Sequence, residues 1–320
     1  LLEIKDLKTS FFTDDGIMPS VDGVSLTLKE GEVLGLVGES GCGKTVMSLS
    51  VIGMIAHPGR IVSGEIIFKG ENLVGYSEEK MRTIRGSGIG MIFQDPLTSL
   101  NPVFNIYDLM TTPLMLHKKY NKKQALEAAV EMLGKVGIAS PEKRIYEYPH
   151  QFSGGQRQRI MIATALSLNP SLLIADEPTT ALDVSIQAQI LDLLVNLQKE
   201  FNTSMIFISH NLGVISGISH RVAVMYGGWI VEEAPVKELF TNPCHPYTIA
   251  LLEAIPTISG GDRRLKNLPG QPPTVGEVIK GCRLQARCPR KIEGLCEEKP
   301  PEDYYVSSNH RVRCFLFDNK

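Results

Sequence analysis

Short runs of alternating apolar and polar residues open the chain. In Leu2-Glu3-Ile4 and in Val24-Ser25-Leu26-Thr27-Leu28 every second side chain is apolar, the period of a half-buried strand. Residues 32–37 (Glu-Val-Leu-Gly-Leu-Val) are more continuously apolar and predict a buried strand. A glycine-rich turn follows, then a helix from Lys44. Residues 64–68 and 89–93 read as further strands. The period changes between about residues 98 and 168. Residues 122–136 carry Leu126, Ala129, Val130, Leu133 and Val136 at helical spacing, and 156–168 form a second helical run. Residues 171–175 and 205–208 return to the buried-strand pattern, with a helix over 186–199 between them. Strands alternating with helices predict an α/β fold, a mostly parallel sheet covered on both faces, with 98–168 as a helical insertion. After about Lys237 the prolines at 243, 246, 256, 269, 272 and 273 and the pair Gly260-Gly261 break up any long helix. Residues 256–277 read as a linker or extended loop. No repeat of fixed period and no low-complexity tract is found.

Composition narrows this picture. The chain has 320 residues, a formal net charge of −2, 43% hydrophobic and 21% charged residues. That length suits one large domain or two, each able to bury a core. A near-neutral charge lacks the bulk basicity of nucleic-acid binders, so no nucleic-acid partner is expected. No stretch reaches the ~18 consecutive apolar residues of a membrane span; the most apolar, 46–56, is broken by Ser48 and Ser50. Any membrane role is therefore expected from outside the bilayer. The start, Leu-Leu-Glu-Ile-Lys, is no secretory signal, and because residue 1 is not Met the natural first residues are expected to be missing. Four of the six cysteines, Cys282, Cys288, Cys296 and Cys314, fall in the last 39 residues. In a large chain without an export signal this clustering points to a metal site rather than to disulfides.

Gly38-Glu39-Ser40-Gly41-Cys42-Gly43-Lys44-Thr45 matches G-x-x-x-x-G-K-[ST], with an apolar strand before it and the helix from Lys44, Val46 in its first turn, after it. Glycines there let backbone N–H groups turn inward around phosphates, and a helix N-terminus favours negative charge. Lys44 is placed to reach the β- and γ-phosphates and Thr45 to ligate Mg²⁺. Cys42 occupies a variable position and reads as a bystander. Residues 172–177 (Leu-Leu-Ile-Ala-Asp-Glu) are four apolar positions followed by two acids. A strand of this kind puts Asp176 at the carboxyl edge of a parallel sheet, where ligands bind. Asp176 would hold Mg²⁺ through water, and Glu177 would polarise an attacking water.

Between these motifs stands Phe152-Ser153-Gly154-Gly155-Gln156-Arg157-Gln158-Arg159, which resembles the signature sequence of the ABC-transporter ATPases. Further matches follow in order. Gln94, after Met91-Ile92-Phe93, resembles the Q-loop; Thr180-Ala181-Leu182-Asp183 resembles the D-loop, with Asp183 its acid; His210 resembles the switch histidine. The resemblance covers roughly residues 1–235, departing mildly at Phe152, where Leu is common, and at Thr180, where Ser is common. It implies the P-loop fold of these ATPases: a mostly parallel central sheet, an antiparallel N-terminal β subdomain, a helical subdomain and, here, a small Cys-rich C-terminal extension. The nucleotide-binding core would be 1–97 and 169–235, the helical subdomain with the signature 98–168. It also implies two ATPase subunits packed head to tail around two ATP molecules. Residues 38–46 would hold one ATP; Ser153, Gly154, Gly155 and Gln156 of the opposite subunit would face its γ-phosphate. Gln94, with Thr45 and Asp176, would hold Mg²⁺ or position the water. Glu177 would be the general base, and His210 would contact the γ-phosphate. An aromatic residue near the N-terminus would stack on adenine, Phe11 as first choice and Phe12 as second.

Asn242-Pro243-Cys244-His245-Pro246-Tyr247-Thr248, followed by Leu251-Leu252-Glu253-Ala254-Ile255-Pro256, looks like the extension of the oligopeptide and dipeptide importer ATPases. This implies import of peptides, with two membrane-spanning permease subunits and, indirectly, a solute-binding protein as partners. The ATPase would lie on the cytoplasmic face of a prokaryotic membrane. An importer of another solute, such as nickel or an oligosaccharide, and a soluble ABC ATPase are the alternatives. No catalytic part is assigned to His245 or Tyr247. The extension and linker would span 236–277, and the Cys-rich segment 278–320. The cysteine spacing lacks paired short zinc knuckles, and Cys288-Pro289 is like the Cys-Pro that ends a bacterial ferredoxin run. A 4Fe–4S cluster is favoured, Zn²⁺ is the alternative, and free or disulfide thiols remain open. His310 reads as a surface histidine.

Overall fold

The computed structural model describes residues 1–180, 182–255, 268–273, 277 and 279–318. The expected linker over 256–277 lies largely outside the described residues. The chain forms two compact units. One comprises Leu1–Leu28, Val33–Gly75 and Ser209–Lys320; the other Lys29–Glu32 and Tyr76–Ile208.

In the first unit the strand Leu2–Thr13 is central to an antiparallel sheet. It pairs with Gly16–Leu28 on one side and Gly59–Phe68 on the other, and Glu71–Asn72 closes the edge. The alternation is realised as read: Leu2 and Ile4 are buried with Glu3 between them. A second sheet starts from Val33–Val37, buried at all five positions and parallel to Arg221–Tyr226. From there the sheet turns antiparallel through Trp229–Pro235, His310–Val312 and Tyr304–Ser307. The reversal is made by Gly227 and Gly228, which join Tyr226 to Trp229 and both have positive φ (54° and 85°). A two-residue turn of this hand matches the twist of the flanking strands and is open to glycine without strain. The Cys-bearing segment is thus not a separate appendage: two of its strands complete this sheet.

In the second unit Leu172–Asp176 lies between Ile89–Ile92 and Ser204–Ser209, parallel to both. The helices include Ile106–His117, Lys122–Lys135, Gly154–Leu166 and Val184–Phe201. The Lys122–Lys135 helix is rotated from its expected face. It buries Ala125, Ala129, Met132 and Leu133, while Leu126 and Val130 are half-buried. The sequence pattern gave weight to large residues, whereas close packing admits the small alanines first. The Ile106–His117 helix has no counterpart in the sequence reading, because Pro113 interrupts the helical pattern from within. Asn105 starts it by accepting the Asp108 N–H at 2.9 Å.

Candidate functional site

The Val33–Val37 strand delivers the chain to the glycine loop, and the helix Lys44–Val51 carries it away. Gly43 stands at the helix entry with φ 107°, and a Cβ there would come within 2.4 Å of the Ser20 carbonyl oxygen. Only glycine fits. The Lys44 side chain is drawn inside the loop, where Nζ donates to the carbonyls of Gly38 (2.8 Å) and Glu39 (2.9 Å). Thr45, Ser40 and Gly41 face solvent and Val46 is half-buried. Cys42 is buried, and burial pushes its thiol up from the ordinary range against a smaller opposing pull from Lys44.

Glu177 follows the buried end of the Leu172–Asp176 strand with φ 46°, its N–H donating to the Ile208 carbonyl at 3.1 Å. This left-handed turn swings the Glu177 carboxylate away from the strand direction of Asp176, which is itself buried. Gln94 Nε2 donates to Glu177 Oε2 at 3.2 Å, and Thr180 Oγ1 donates to the same oxygen at 2.9 Å. The structure therefore brings Gln94 and Glu177 together. It adds Thr180, whose hydroxyl the sequence reading noted only as a departure from Ser. Ser153 is exposed and caps the helix Gly154–Leu166 in a reciprocal box with Gln156. Gln156 N–H donates to its hydroxyl at 3.4 Å, and its own N–H reaches Gln156 Oε1 at 3.2 Å. Gly154 and Gly155 form the first turn, whose N–H groups have no intrahelical acceptor. Asp183 is exposed at the entry of Val184–Phe201. His210 is exposed beyond Ser204–Ser209, ahead of a helix capped by Asn211. Phe11 and Phe12 are both half-buried: Phe11 lies against Gly59, and Arg60 stacks its guanidinium over the Phe12 ring at 3.9 Å.

The extension is built more tightly than its sequence suggested. His245 caps the helix Pro246–Glu253, its Nδ1 accepting the Tyr247 N–H at 3.1 Å. Burial lowers its pKa to about 4, against a smaller opposing pull from Glu232. The Glu232 carboxylate is buried and accepts the N–H groups of Cys244 (2.7 Å) and His245 (2.8 Å) and Nε2 of His310 (2.7 Å). Nδ1 of His310 faces Glu238 at 3.1 Å. His310 is therefore not a surface histidine. It is about 1% exposed, and its hydrogen bond to Glu232 raises its pKa. Cys282, Cys288, Cys296 and Cys314 are all free and line one cavity, together with His245, Leu284, Ile292 and Phe315. Among the described residues, no three of these sulfurs lie within 4.8 Å of one another. Burial, with repulsion from the neighbouring thiols, pushes Cys282 up to about 12 and Cys314 to about 11.

A buried strand leading through a glycine loop into a helix in the first unit, and a buried parallel strand ending in paired acids in the second, are the two marks of a P-loop nucleotide hydrolase. The comparisons sharpen that class. Residues 21–180 match the family described as ABC transporter, and residues 231–296 match the family described as oligopeptide/dipeptide transporter, C-terminal region. The chain is 49% identical over 318 residues to the oligopeptide transport ATP-binding protein OppD of Bacillus subtilis (strain 168), covering 99% of this chain and 88% of that one. It is 46% identical over 319 residues to the dipeptide transport ATP-binding protein DppD of Lactococcus lactis subsp. cremoris (strain MG1363), covering 99% and 91%. A solved structure of the ATP-binding cassette MJ0796, in a post-hydrolysis dimer bound to ADP and Pi, superposes with a TM-score of 0.67 at 25% identity, covering 74% of this chain and 99% of that one. This chain belongs to the ABC transporter family, as an ATP-hydrolysing subunit. The family's substrate is ATP with Mg²⁺.

Proposed function

We propose that this chain powers the import of dipeptides and oligopeptides, working as one of two ATPase subunits that close head to tail on ATP. One observation carries the peptide reading: the match of residues 231–296 to the oligopeptide/dipeptide C-terminal region. In this reading residues 38–46 hold the phosphates, with Lys44 turning from the loop carbonyls to the β- and γ-oxygens, and Phe11 stacks on adenine. Thr45, Gln94 and Asp176 hold Mg²⁺; the oxygen-rich donor set suits this hard cation. When bound, the ion neutralises charge on the transferred phosphoryl oxygens. Glu177 takes the proton of the attacking water, His210 contacts the γ-phosphate, and Ser153, Gly154, Gly155 and Gln156 of the opposite subunit complete the site, ordered by Asp183. The exposed helix start supports that last role, since the first-turn N–H groups of Gly154 and Gly155 have no intrahelical acceptor and can meet an anion.

Residues 98–168 form the helical subdomain in this reading. The exposed Val103 and Phe104 (76% and 48%) support contact of this region with two membrane-spanning permeases. No described helix is long and apolar enough to cross a membrane, and we place the chain at the cytoplasmic face, supplied indirectly by a solute-binding protein. Cys282, Cys288, Cys296 and Cys314 hold a 4Fe–4S cluster. Its support is four free thiols on one cavity, no three of them within 4.8 Å of one another, whereas tetrahedral Zn–S bonds of 2.3 Å would bring all four sulfurs to roughly 3.8 Å. Iron and acid-labile sulfide in anaerobically purified protein test the cluster, and zinc without sulfide overturns it.

The ATPase assignment is tested by Glu177→Gln. Turnover is expected to fall at least about 100-fold, as for loss of a general base, with ATP binding retained; unchanged turnover removes Glu177 from its role. In cells carrying the variant, labelled dipeptide uptake should stop. Continued peptide uptake with loss of nickel or oligosaccharide uptake would reassign the cargo.

A further inference from the structure

Glu39 occupies a variable position of the glycine loop, yet it is held at three points. Its N–H donates to the Tyr247 hydroxyl at 2.8 Å. Its carbonyl accepts from Lys44 Nζ at 2.9 Å. Its carboxylate takes Arg287 in a two-pronged pair, Nη1 to Oε2 at 2.8 Å and Nη2 to Oε1 at 3.2 Å. Two of these partners belong to the C-terminal extension. Tyr247 is fully buried, its ring tilted against that of Tyr226 at a centroid distance of 4.6 Å. Arg287 is 8% exposed. It also donates to the Tyr226 hydroxyl at 3.3 Å and, through Nε, to the Pro269 carbonyl at 3.1 Å.

Two-pronged, charge-assisted pairs fix geometry as well as energy. A buried Tyr hydroxyl has few other orientations open to it. Gly38, Cys42 and Gly43 are buried, but the tip of the loop, Ser40 and Gly41, is exposed and has Glu39 as its neighbouring anchor. A glycine loop that must aim its N–H groups at phosphates loses backbone entropy on binding unless its conformation is already set. We propose that Tyr247 and Arg287 are positioning residues for the nucleotide: through Glu39, the C-terminal extension sets the conformation of the phosphate loop. This rests on the reading of 38–45 as the phosphate-holding segment. The His-Pro-Tyr sequence then acquires a mechanical sense. His245 caps the helix, Pro246 starts it, and Tyr247 delivers its hydroxyl to the loop. The loop grips ground state and transition state alike, so the effect falls on KM rather than kcat.

The test uses the full chain and the non-hydrolysable imido analogue of ATP, with ATP turnover measured alongside. Tyr247→Phe deletes one oxygen and keeps the packed ring; Arg287→Gln removes the pair. Affinity should fall at least threefold in the first and tenfold in the second, with KM for ATP rising in step and kcat staying within twofold. Hydrogen exchange should quicken over residues 38–45 and not elsewhere. Adding Glu39→Gln to Arg287→Gln should recover part of the lost affinity, because no carboxylate is then left unpaired. Affinities within twofold of the parent in both single variants overturn the proposal, as does a loss of exchange protection spread evenly along the chain. If Arg287→Gln fails to fold, Tyr247→Phe decides alone. Lys44→Ala separates the two readings. If it abolishes binding while the other variants bind normally, only the positioning idea falls. If it too binds normally, the phosphate-loop reading falls and takes the proposal with it.

Discussion

His245 and His310 meet the same carboxylate, that of Glu232, with opposite consequences. His245 offers Glu232 its backbone N–H and uses Nδ1 as an acceptor for the Tyr247 N–H, a task open only to a neutral ring. Burial accordingly lowers its pKa to about 4. His310 faces Glu232 and Glu238 with both nitrogens, and its pKa is raised, first by the Glu232 hydrogen bond. A lowered histidine contributes stability above its unfolded pKa near 6.5, and loses it as pH falls toward the folded value, because the unfolded chain takes up a proton that the fold refuses. A raised one contributes below 6.5 and loses stability as pH rises through its folded value. The two slopes oppose, so only a difference isolates either. His245→Asn keeps a cap acceptor without the titration. Between pH 7.5 and 5 the parent should lose about 2 kcal/mol relative to this variant. Urea unfolding at the two pH values checks it, and equal losses would remove His245 as the titrating group. None of this was legible in the sequence. The partners of His310 lie 72 and 78 positions away, and nothing in its local pattern distinguishes it from an exposed histidine. Arg287 and Tyr247 escaped for the same reason, whereas Lys44, Glu177 and Gln94 stand in motifs whose spacing is itself the signal.

At the scale of elements, the pattern foretold best what is buried on both faces. Val33–Val37, Leu172–Asp176 and Ser204–Ser209 stand where continuous apolar runs put them. The pattern failed where an element is short or held by charge. Tyr304–Ser307 and His310–Val312 have four and three residues, and Tyr305 and Val306 point to solvent. Ion pairs fasten the inner strand to its neighbour. Glu233 on Trp229–Pro235 accepts Arg221 at 2.8 Å and Arg311 at 2.7 Å, and Arg311 also donates to the Ser25 carbonyl at 2.7 Å. All three side chains are under 20% exposed, so removing the acid takes the shared carboxylate from two largely buried guanidinium groups, leaving Arg311 its pair with Asp303 (2.9 Å) and Arg221 the Thr27 carbonyl. Glu233→Ala should cost about 3 kcal/mol, as for breaking a buried pair. The signature of this loss is early proteolysis within 304–318 as well as a lower Tm. A lower Tm without preferential cleavage there would mean that the strand is held by other contacts.

For the whole molecule, the division made from the sequence, a cassette followed by an extension with its own task, needs revision. The extension completes a sheet of the first unit and grips the loop at Glu39, so the thiol-lined cavity and the loop are mechanically joined. Arg287 precedes Cys288 and closes the second of two successive turns that begin at Cys282: Gln285 N–H donates to the Cys282 carbonyl at 3.0 Å and Arg287 N–H to the Leu284 carbonyl at 2.9 Å. Whatever holds the thiolates of Cys282 and Cys288 also fixes the backbone from which Arg287 reaches out. Burial first, and the neighbouring thiols after it, raise Cys282 and Cys314; the proposed metal centre, by holding them as thiolates, would organise a segment with little core of its own. Stripping iron from the protein with a chelator should therefore weaken binding of the imido analogue of ATP severalfold and quicken exchange over 38–45. Arg287→Gln supplies the control. With the link already cut, stripping should change affinity less than twofold. If stripping weakens nucleotide binding equally with and without Arg287, the metal segment acts on the fold at large and the coupling through Glu39 is wrong.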